Sequence, residues 1–154
     1  MNPAQIDDFD RRILRALQRD STRSQRDLAE EVGLSQSACW RRLKSLEESG
    51  LITGHTIRLD PQRVGLELTI FMMIRTRQHS SKWLATFRAE VSAIPNVIDF
   101  FRIAGDYDYM LKVVAADMND FDRVYQRIIA KVELESVTSY VTMEAILSGR
   151  DLPV

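Results

Sequence analysis

The chain has 154 residues, of which 45% are hydrophobic and 28% are charged, enough to bury one ordinary core or two small ones. Its 21 lysines and arginines nearly balance 22 aspartates and glutamates, so the net charge of -1 exerts no overall attraction on nucleic acid. The single cysteine excludes an intrachain disulfide, and the longest apolar run, 68–74, is too short to span a membrane. We therefore expect a cytoplasmic protein that does not bind membranes.

Two helical patterns meet at Gly33, and the first of them carries an apolar face on a short helix. The glycine can adopt the left-handed conformation that turns the chain, and Ser35 then offers a hydroxyl that caps a second helix. In that helix Cys39, Leu43 and Leu46 recur at helical spacing and form a narrow inward stripe. This arrangement predicts a helix-turn-helix.

The outer side of the second helix is polar and basic, in a chain segment that is locally basic. We predict that seven of its residues contact DNA: Ser35, Gln36, Ser37, Trp40, Arg41, Arg42 and Lys44. The major groove admits one helix, and side chains near the N-terminus of that helix reach base edges. Gln36 and Ser37 are therefore predicted to select sequence, and the basic residues further along to bind phosphates or guanine edges. For Arg42, beside the inward stripe, an ion pair with the first helix is the alternative.

The segments on either side of this pair of helices complete a small domain. An earlier helix begins after a capping aspartate, Asp7 or Asp8, and its apolar stripe adds a third element to the core. Gly50 ends the second helix of the motif, and Thr53–Leu59 then predicts a short strand or wing. We expect no metal at His55, because no cysteine, histidine or acidic residue stands at ligand spacing. A three-helix module that binds no nucleic acid would show the same pattern.

Beyond Pro61 the pattern changes to strand, helix, strand, strand, helix, strand. The predicted strands are 68–75, 97–104, 107–114 and 137–147, with helices starting near Ser80 or Ser81 and after Asp117. This order is typical of a ferredoxin-like sandwich. The fold class is thus α+β, with a helix-turn-helix domain (1–60), a linker (61–65) and a second domain (66–154).

The first strand of the second domain is apolar on both faces. Ile70, Met72 and Ile74 lie on one face, and Phe71 and Met73 on the other. Two helices cover only one face of a four-stranded sheet. Because a bare apolar face of this size is unusual on a monomer, we expect it to pack against the same face of a second copy.

Several motifs together resemble the Lrp/AsnC (leucine-responsive regulatory protein, or feast-famine) family of transcription regulators. They are RRIL, GLSQSACWRRLKSLEESGLI, the DP linker, GDYDYMLKV and SYVTMEAI, and they extend over nearly the whole chain. The resemblance implies a winged helix-turn-helix domain that binds double-stranded DNA. It also implies an amino-acid-responsive C-terminal domain of the RAM or ACT type, and homodimers that assemble into octamers.

The GDYDY motif is similar to the effector loop of that family. The predicted effector-binding residues are Gly105, Asp106, Tyr107, Asp108, Thr138 and Ser139. Backbone N–H groups at a glycine turn can hold the carboxylate of an amino acid, and either aspartate can hold its ammonium. Ordinary turn chemistry is the alternative explanation for both aspartates. The runs CWRRLKSLE, HSSKW and RIAGDYDYMLKV resemble the DecR-type, cysteine-responsive branch, which makes cysteine the leading effector hypothesis.

Two other classes of function remain as alternatives. An enzyme needs a nucleophile, a base and an orienting group within reach, whereas Cys39, His55 and His79 are dispersed. We accordingly expect no catalytic residues, no cofactor and no metal. An architectural, nucleoid-type protein that binds DNA without a ligand is the stronger alternative. A ligand titration distinguishes it from an effector-controlled regulator, whose DNA affinity or assembly must change on binding.

Overall fold

The computed structural model describes residues 6–154 and divides the chain into two compact units. One unit runs up to Arg58 and also includes Leu147–Val154, while the other is Leu59–Ile146. The predicted second domain, 66–154, differs from this division in its last eight residues, Leu147–Val154, which group with the helical unit. No helix within the described part of the chain is both long and apolar enough to cross a bilayer.

From residue 6 onward the first unit contains three helices, and each begins at a capped N-terminus. They are α1 (Asp8–Arg19), α2 (Gln25–Val32) and α3 (Gln36–Glu48). Asp7 caps α1 and Ser35 caps α3, as the sequence predicts, and Gly33 adopts a φ of 75° at the turn. Their apolar faces share one core: Ile13, Leu14, Ala16, Leu28, Ala29, Val32, Cys39 and Leu46.

The segment after α3 forms no strand. Gly50 adopts a φ of 75°, and the next two N–H groups donate to the carbonyl of Leu46, so the end of α3 is closed as expected. The predicted strand at Thr53–Leu59 is wrong, because this segment has no regular secondary structure. Its apolar alternation is real, but a strand also needs a neighbouring strand to pair its backbone, and the described residues provide none.

Residues from the distant segment Leu147–Val154 pack against the helices of the first unit. The side-chain amide of Gln18 donates to the carbonyl of Leu152 and accepts from its N–H, at 3.1 and 2.7 Å. Arg15 donates to the carbonyl of Val154, whose side chain packs against the helical core. These hydrogen bonds join positions more than 130 residues apart, so no local sequence pattern reports them.

The second unit has the predicted βαββαβ order. Its elements are β1 (Leu68–Arg75), α4 (Ser81–Ser92), β2 (Val97–Arg102), β3 (Tyr109–Ala115), α5 (Met118–Ile129) and β4 (Ser136–Val141). The sheet order is β2-β3-β1-β4 with antiparallel pairs throughout, and Ser80 and Asp117 cap the two helices as expected. Strand β4 ends six residues before the predicted Leu147, because its pairing with β1 stops.

The two faces of this sheet differ in their surroundings. Ile70, Met72 and Ile74 are fully buried with Phe87 of α4 in the core between the sheet and its helices. The alternate residues of β1 are only half-buried, and Phe101 on β2 is 49% exposed. The prediction that one apolar face lies uncovered in the single chain is confirmed.

Candidate DNA-binding and effector sites

The outer face of α3 is a polar surface with one aromatic residue. Gln36, Ser37, Trp40, Arg41 and Lys44 are exposed. On the inward stripe of α3, Cys39 and Leu46 are buried in the helical core and Leu43 is partly buried against it. These side chains lie along the first two and a half turns of the helix, at about 3.6 residues per turn. The helix therefore presents its N-terminal half to solvent as one continuous surface.

Ser35 has a role within the helix itself. Its hydroxyl accepts the N–H of Ala38 at 3.3 Å and lies 3.4 Å from the hydroxyl of Ser37. An N-cap of this kind satisfies one of the free N–H groups of the first turn. Ser35 thus sets where α3 begins, and thereby fixes the position of the side chains that follow.

Arg42 is bound to the first helix. Its guanidinium donates to Asp7 at 2.7 Å and to Asp10 at 2.9 Å, and its Cζ lies 5.5 Å from the ring centroid of Phe9. The N–H of Asp10 and then Arg42 lower the pKa of Asp7, and the two carboxylates raise the pKa of Arg42. Of the two alternatives for Arg42, this geometry favours the ion pair with α1.

Arg41 and Lys44 carry the outward positive charge of α3. Lys44 Nζ is 3.7 Å from Glu48 and 5.2 Å from the ring centroid of Trp40. An exposed pair of this kind is weak and exchanges readily with other anions. Arg41 forms no ion pair with any of residues 6–154. Both cations are therefore available to phosphates.

Cys39 and His55 have no site chemistry around them. Cys39 is only 2% exposed, and burial raises its thiol pKa, so it serves as a small apolar side chain. His55 lies 3.2 Å from Glu47 on the surface of the helical unit. No group of three or more potential metal ligands occurs in the part of the chain that the structure describes.

The GDYDY loop connects β2 to β3 and is held at its base by two backbone hydrogen bonds. The N–H of Ile103 donates to the carbonyl of Asp108, and the N–H of Asp108 donates to the carbonyl of Ile74, both at 2.9 Å. Gly105 has a φ of 136°, a conformation that favours glycine. The N–H groups of Gly105, Asp106 and Tyr107 have no hydrogen-bond partner among residues 6–154.

The two aspartates of the loop differ in what their carboxylates do. Asp108 accepts the N–H of Thr76 at 2.8 Å, and Thr76 is only 3% exposed. The carboxylate of Asp106 is exposed and has no partner within the described residues, while its carbonyl accepts Arg75 Nε at 2.7 Å. Asp108 thus closes the loop onto β1, as turn chemistry predicts, and Asp106 remains available to a ligand.

The structure places only one of the two predicted β4 residues near the loop. The hydroxyl of Tyr107 lies 3.4 Å from that of Thr138, and interaction with Tyr107 raises the pKa of Tyr140. Ser139 pairs with Met72, so its side chain lies on the opposite, helix-covered face of the sheet. Thr138 and Ser139 therefore do not line one surface.

Comparisons with known proteins decide the family. Residues 6–53 match a winged helix-turn-helix DNA-binding family, and residues 69–152 match the Lrp/AsnC ligand binding domain. The chain belongs to the Lrp/AsnC family of transcription regulators. This Lrp/AsnC regulator accordingly combines a DNA-binding domain with an amino-acid-binding domain, and its relatives are transcription regulators, not enzymes.

Three proteins illustrate the similarity. The DNA-binding transcriptional activator DecR of Escherichia coli is 43% identical over 150 residues, which cover 97% of this chain and 99% of DecR. An AsnC family regulator from Agrobacterium tumefaciens has a TM-score of 0.93 and 46% identity, covering 96% of this chain and 97% of its own. A Neisseria meningitidis regulator, solved as a complex with L-methionine, has a TM-score of 0.91 and 31% identity over 96% of both chains.

Local sequence patterns do not indicate the residues that hold the two candidate sites of this Lrp/AsnC regulator in place. Arg75 and Thr76 fix the GDYDY loop from the end of β1. The ferredoxin-like strand order contains a signal for them, because it puts the end of β1 beside the start of β3. Asp10 holds the side chain of Arg42 against α1. The sequence indicates Asp10 only through the alternative that Arg42 pairs with an acidic residue of the first helix.

Proposed function

We propose that this regulator binds a small amino acid, with cysteine the leading candidate, at the loop 105–108, and that binding changes its DNA affinity or its assembly. The observation that carries the proposal is the free carboxylate of Asp106 beside three N–H groups without partners among residues 6–154. An amino acid presents an ammonium and a carboxylate a fixed distance apart. The loop offers a complement to each charge.

The relatives support the ligand class. The L-methionine complex of the Neisseria regulator supports a free amino acid, and the similarity to DecR favours the DecR-type branch to which we assign cysteine. The hydroxyls of Tyr107 and Thr138 add polar groups close to the loop. Ser139 lies on the other face of the sheet and is left out of the proposed site.

On DNA, we propose that α3 enters the major groove. Gln36 and Ser37, at the start of the helix, contact base edges, and Arg41 and Lys44 bind phosphates. Arg42 holds α3 against α1 through its two carboxylate partners. Its contribution to DNA binding is thus the placement of the helix.

For assembly, we propose that the uncovered sheet face packs on the same face of a second copy, and that such dimers build an octamer. Phe101→Glu puts a charge on this face and should make the protein monomeric at micromolar concentration in sedimentation. Met118→Glu, at a similarly exposed apolar position at the start of α5, is the matched control and should leave assembly intact. Equal behaviour of the two variants would exclude this face as the interface.

The effector proposal is tested with matched amide variants. Asp106→Asn should weaken amino-acid binding in calorimetry by about 10- to 100-fold, the usual effect of losing a charged hydrogen bond. Asp108→Asn keeps an oxygen for the N–H of Thr76 and should bind as the parent does. DNA affinity without effector should be unchanged in both variants.

The same titration tests the alternative of an architectural protein. A panel containing cysteine, methionine and leucine is added to the protein with and without DNA. An effector must alter DNA affinity or assembly, and DNA must alter the effector's affinity by the same factor. If no amino acid binds the parent, the architectural alternative is favoured and the effector proposal fails.

A further inference from the structure

Trp40 is the one large aromatic side chain of α3, and the helical core does not take it up. It is 45% exposed, although the preceding residue, Cys39, is almost fully buried. The other tryptophan of the chain, Trp83, packs in the second unit with its ring 4.9 Å from that of Phe87. Core packing therefore explains the presence of Trp83, but it does not explain the large exposed part of the Trp40 indole.

The neighbours of Trp40 define the surface on which it lies. Gln36 and Lys44 are one turn before and after it, so the three share one side of the helix. The Lys44 ammonium lies 5.2 Å from the ring centroid, within the range of a cation–π contact, which limits the conformations of the indole. A partly exposed indole thus lies between an amide and a cation on one side of α3.

The major groove offers an apolar aromatic ring one kind of partner. Its base edges present hydrogen-bond donors and acceptors, except at thymine, which also presents a C5 methyl group. The indole has a single N–H donor and no acceptor, so it cannot read a base edge bidentately. An exposed tryptophan on a groove-facing helix therefore matches a thymine methyl better than any other base group.

We propose that Trp40 is a specificity-determining residue that packs against a thymine C5 methyl in each half-site. This inference rests on the proposed docking of α3 in the major groove. Gln36, one turn nearer the N-terminus, is suited to an adjacent adenine, since an amide pairs with its N6 and N7. Lys44 holds the indole in place while its ammonium reaches the phosphate backbone.

The test uses DNA that the full-length protein enriches from a random duplex pool. Each thymine of the enriched site is replaced singly by deoxyuridine, which removes only the methyl group. Binding of the parent should weaken about fourfold at one position per half-site, the equivalent of one buried methyl group. Trp40→Ala should bind the thymine and uracil duplexes equally at that position and keep the parent's response elsewhere. Trp40→Phe, which retains an apolar ring, should keep part of the uracil effect.

The converse substitution provides a second measurement. In a site with cytosine at the identified position, replacing that cytosine by 5-methylcytosine should strengthen binding by the parent protein. The same replacement should leave binding by Trp40→Ala unchanged. If uracil weakens binding equally in the parent and in Trp40→Ala, this inference is overturned and the docking proposal stands. The same holds if Trp40→Ala changes its oligomeric state but keeps the uracil effect. Failure of the parent to enrich any sequence would overturn the docking proposal, and this inference with it.

Discussion

Alanine variants at Arg41, Arg42 and Lys44 should differ in how salt affects DNA binding. A basic residue that neutralises a phosphate releases a condensed counterion, so the slope of log K against log salt becomes shallower by about 0.9 for each phosphate left without its cation. The Lys44 ammonium has only a weak exposed partner, 3.7 Å away in Glu48. Its replacement therefore leaves one phosphate per recognition helix without a protein cation.

The expected magnitude follows from the number of helices that bind. A dimer that places two copies of α3 on DNA neutralises two fewer phosphates in Lys44→Ala, so the slope should decrease by about 1.8. Between about 50 and 200 mM salt, a fourfold change, the affinity of the parent should then fall by roughly 12-fold more than that of the variant. Arg41→Ala should behave in the same way.

Arg42→Ala should leave the slope near the parent value. Its guanidinium is already paired with two carboxylates, at 2.7 and 2.9 Å, so it contributes no counterion release when DNA binds. Affinity should nevertheless fall at every salt concentration, because α3 is no longer fixed against α1. Fluorescence anisotropy with one labelled duplex over a series of salt concentrations measures both quantities. If Arg42→Ala flattened the slope as much as Lys44→Ala, the assignment of these residues to separate roles would be refuted.

Three further predictions concern stability. Phe87→Ala should lower the free energy of unfolding by about 3–5 kcal/mol in chemical denaturation, since Phe87 is 0% exposed in the core of the second unit. Gln18→Ala should lower the free energy of unfolding by about 1–2 kcal/mol in the same assay, because it removes two hydrogen bonds to Leu152. In a chain lacking residues 148–154, the same substitution should leave stability unchanged. Because the pKa of Asp7 is lowered from 3.8 in the folded state, its carboxylate stabilises the protein above that pH, and this contribution disappears as pH falls through the folded-state value. Asp7→Asn, which preserves the cap, should therefore be less stable than the parent at neutral pH and equally stable in strong acid, as measured by urea unfolding.

Local sequence patterns predicted most elements of the fold, because most of them are set by local chemistry. Caps at Asp7, Ser35 and Asp117, and the left-handed glycine at 33, each require a particular residue type next to a helix end, and the structure confirms all four. The strand predicted at Thr53–Leu59 and the length predicted for β4 were wrong for one shared reason. Apolar alternation shows that a segment can form a strand, whereas pairing depends on a neighbour that the pattern does not specify.

The candidate sites show the same limit at the level of single side chains. Helical periodicity puts Arg41 and Arg42 next to each other on a basic helix, and nothing in their residue type distinguishes them. The structure distinguishes them by their partners: Arg42 is paired with Asp7 and Asp10, and Arg41 has no acidic partner among residues 6–154. Asp106 and Asp108 are distinguished in the same way, because the N–H of Thr76 donates to the carboxylate of Asp108 and not to that of Asp106.

These assignments place the two proposed activities on side chains that the fold leaves unused. The fold engages Ser35, Arg42 and Asp108 in a cap, an ion pair and a loop closure, and each of them positions a neighbour that faces solvent. Replacing a positioning residue should therefore impair a site by displacing it, and replacing the exposed neighbour should impair it by removing the group that binds. The conservative variants described above separate the two, since Asp108→Asn keeps the hydrogen bond that positions the loop while Asp106→Asn removes the charge that would hold an ammonium.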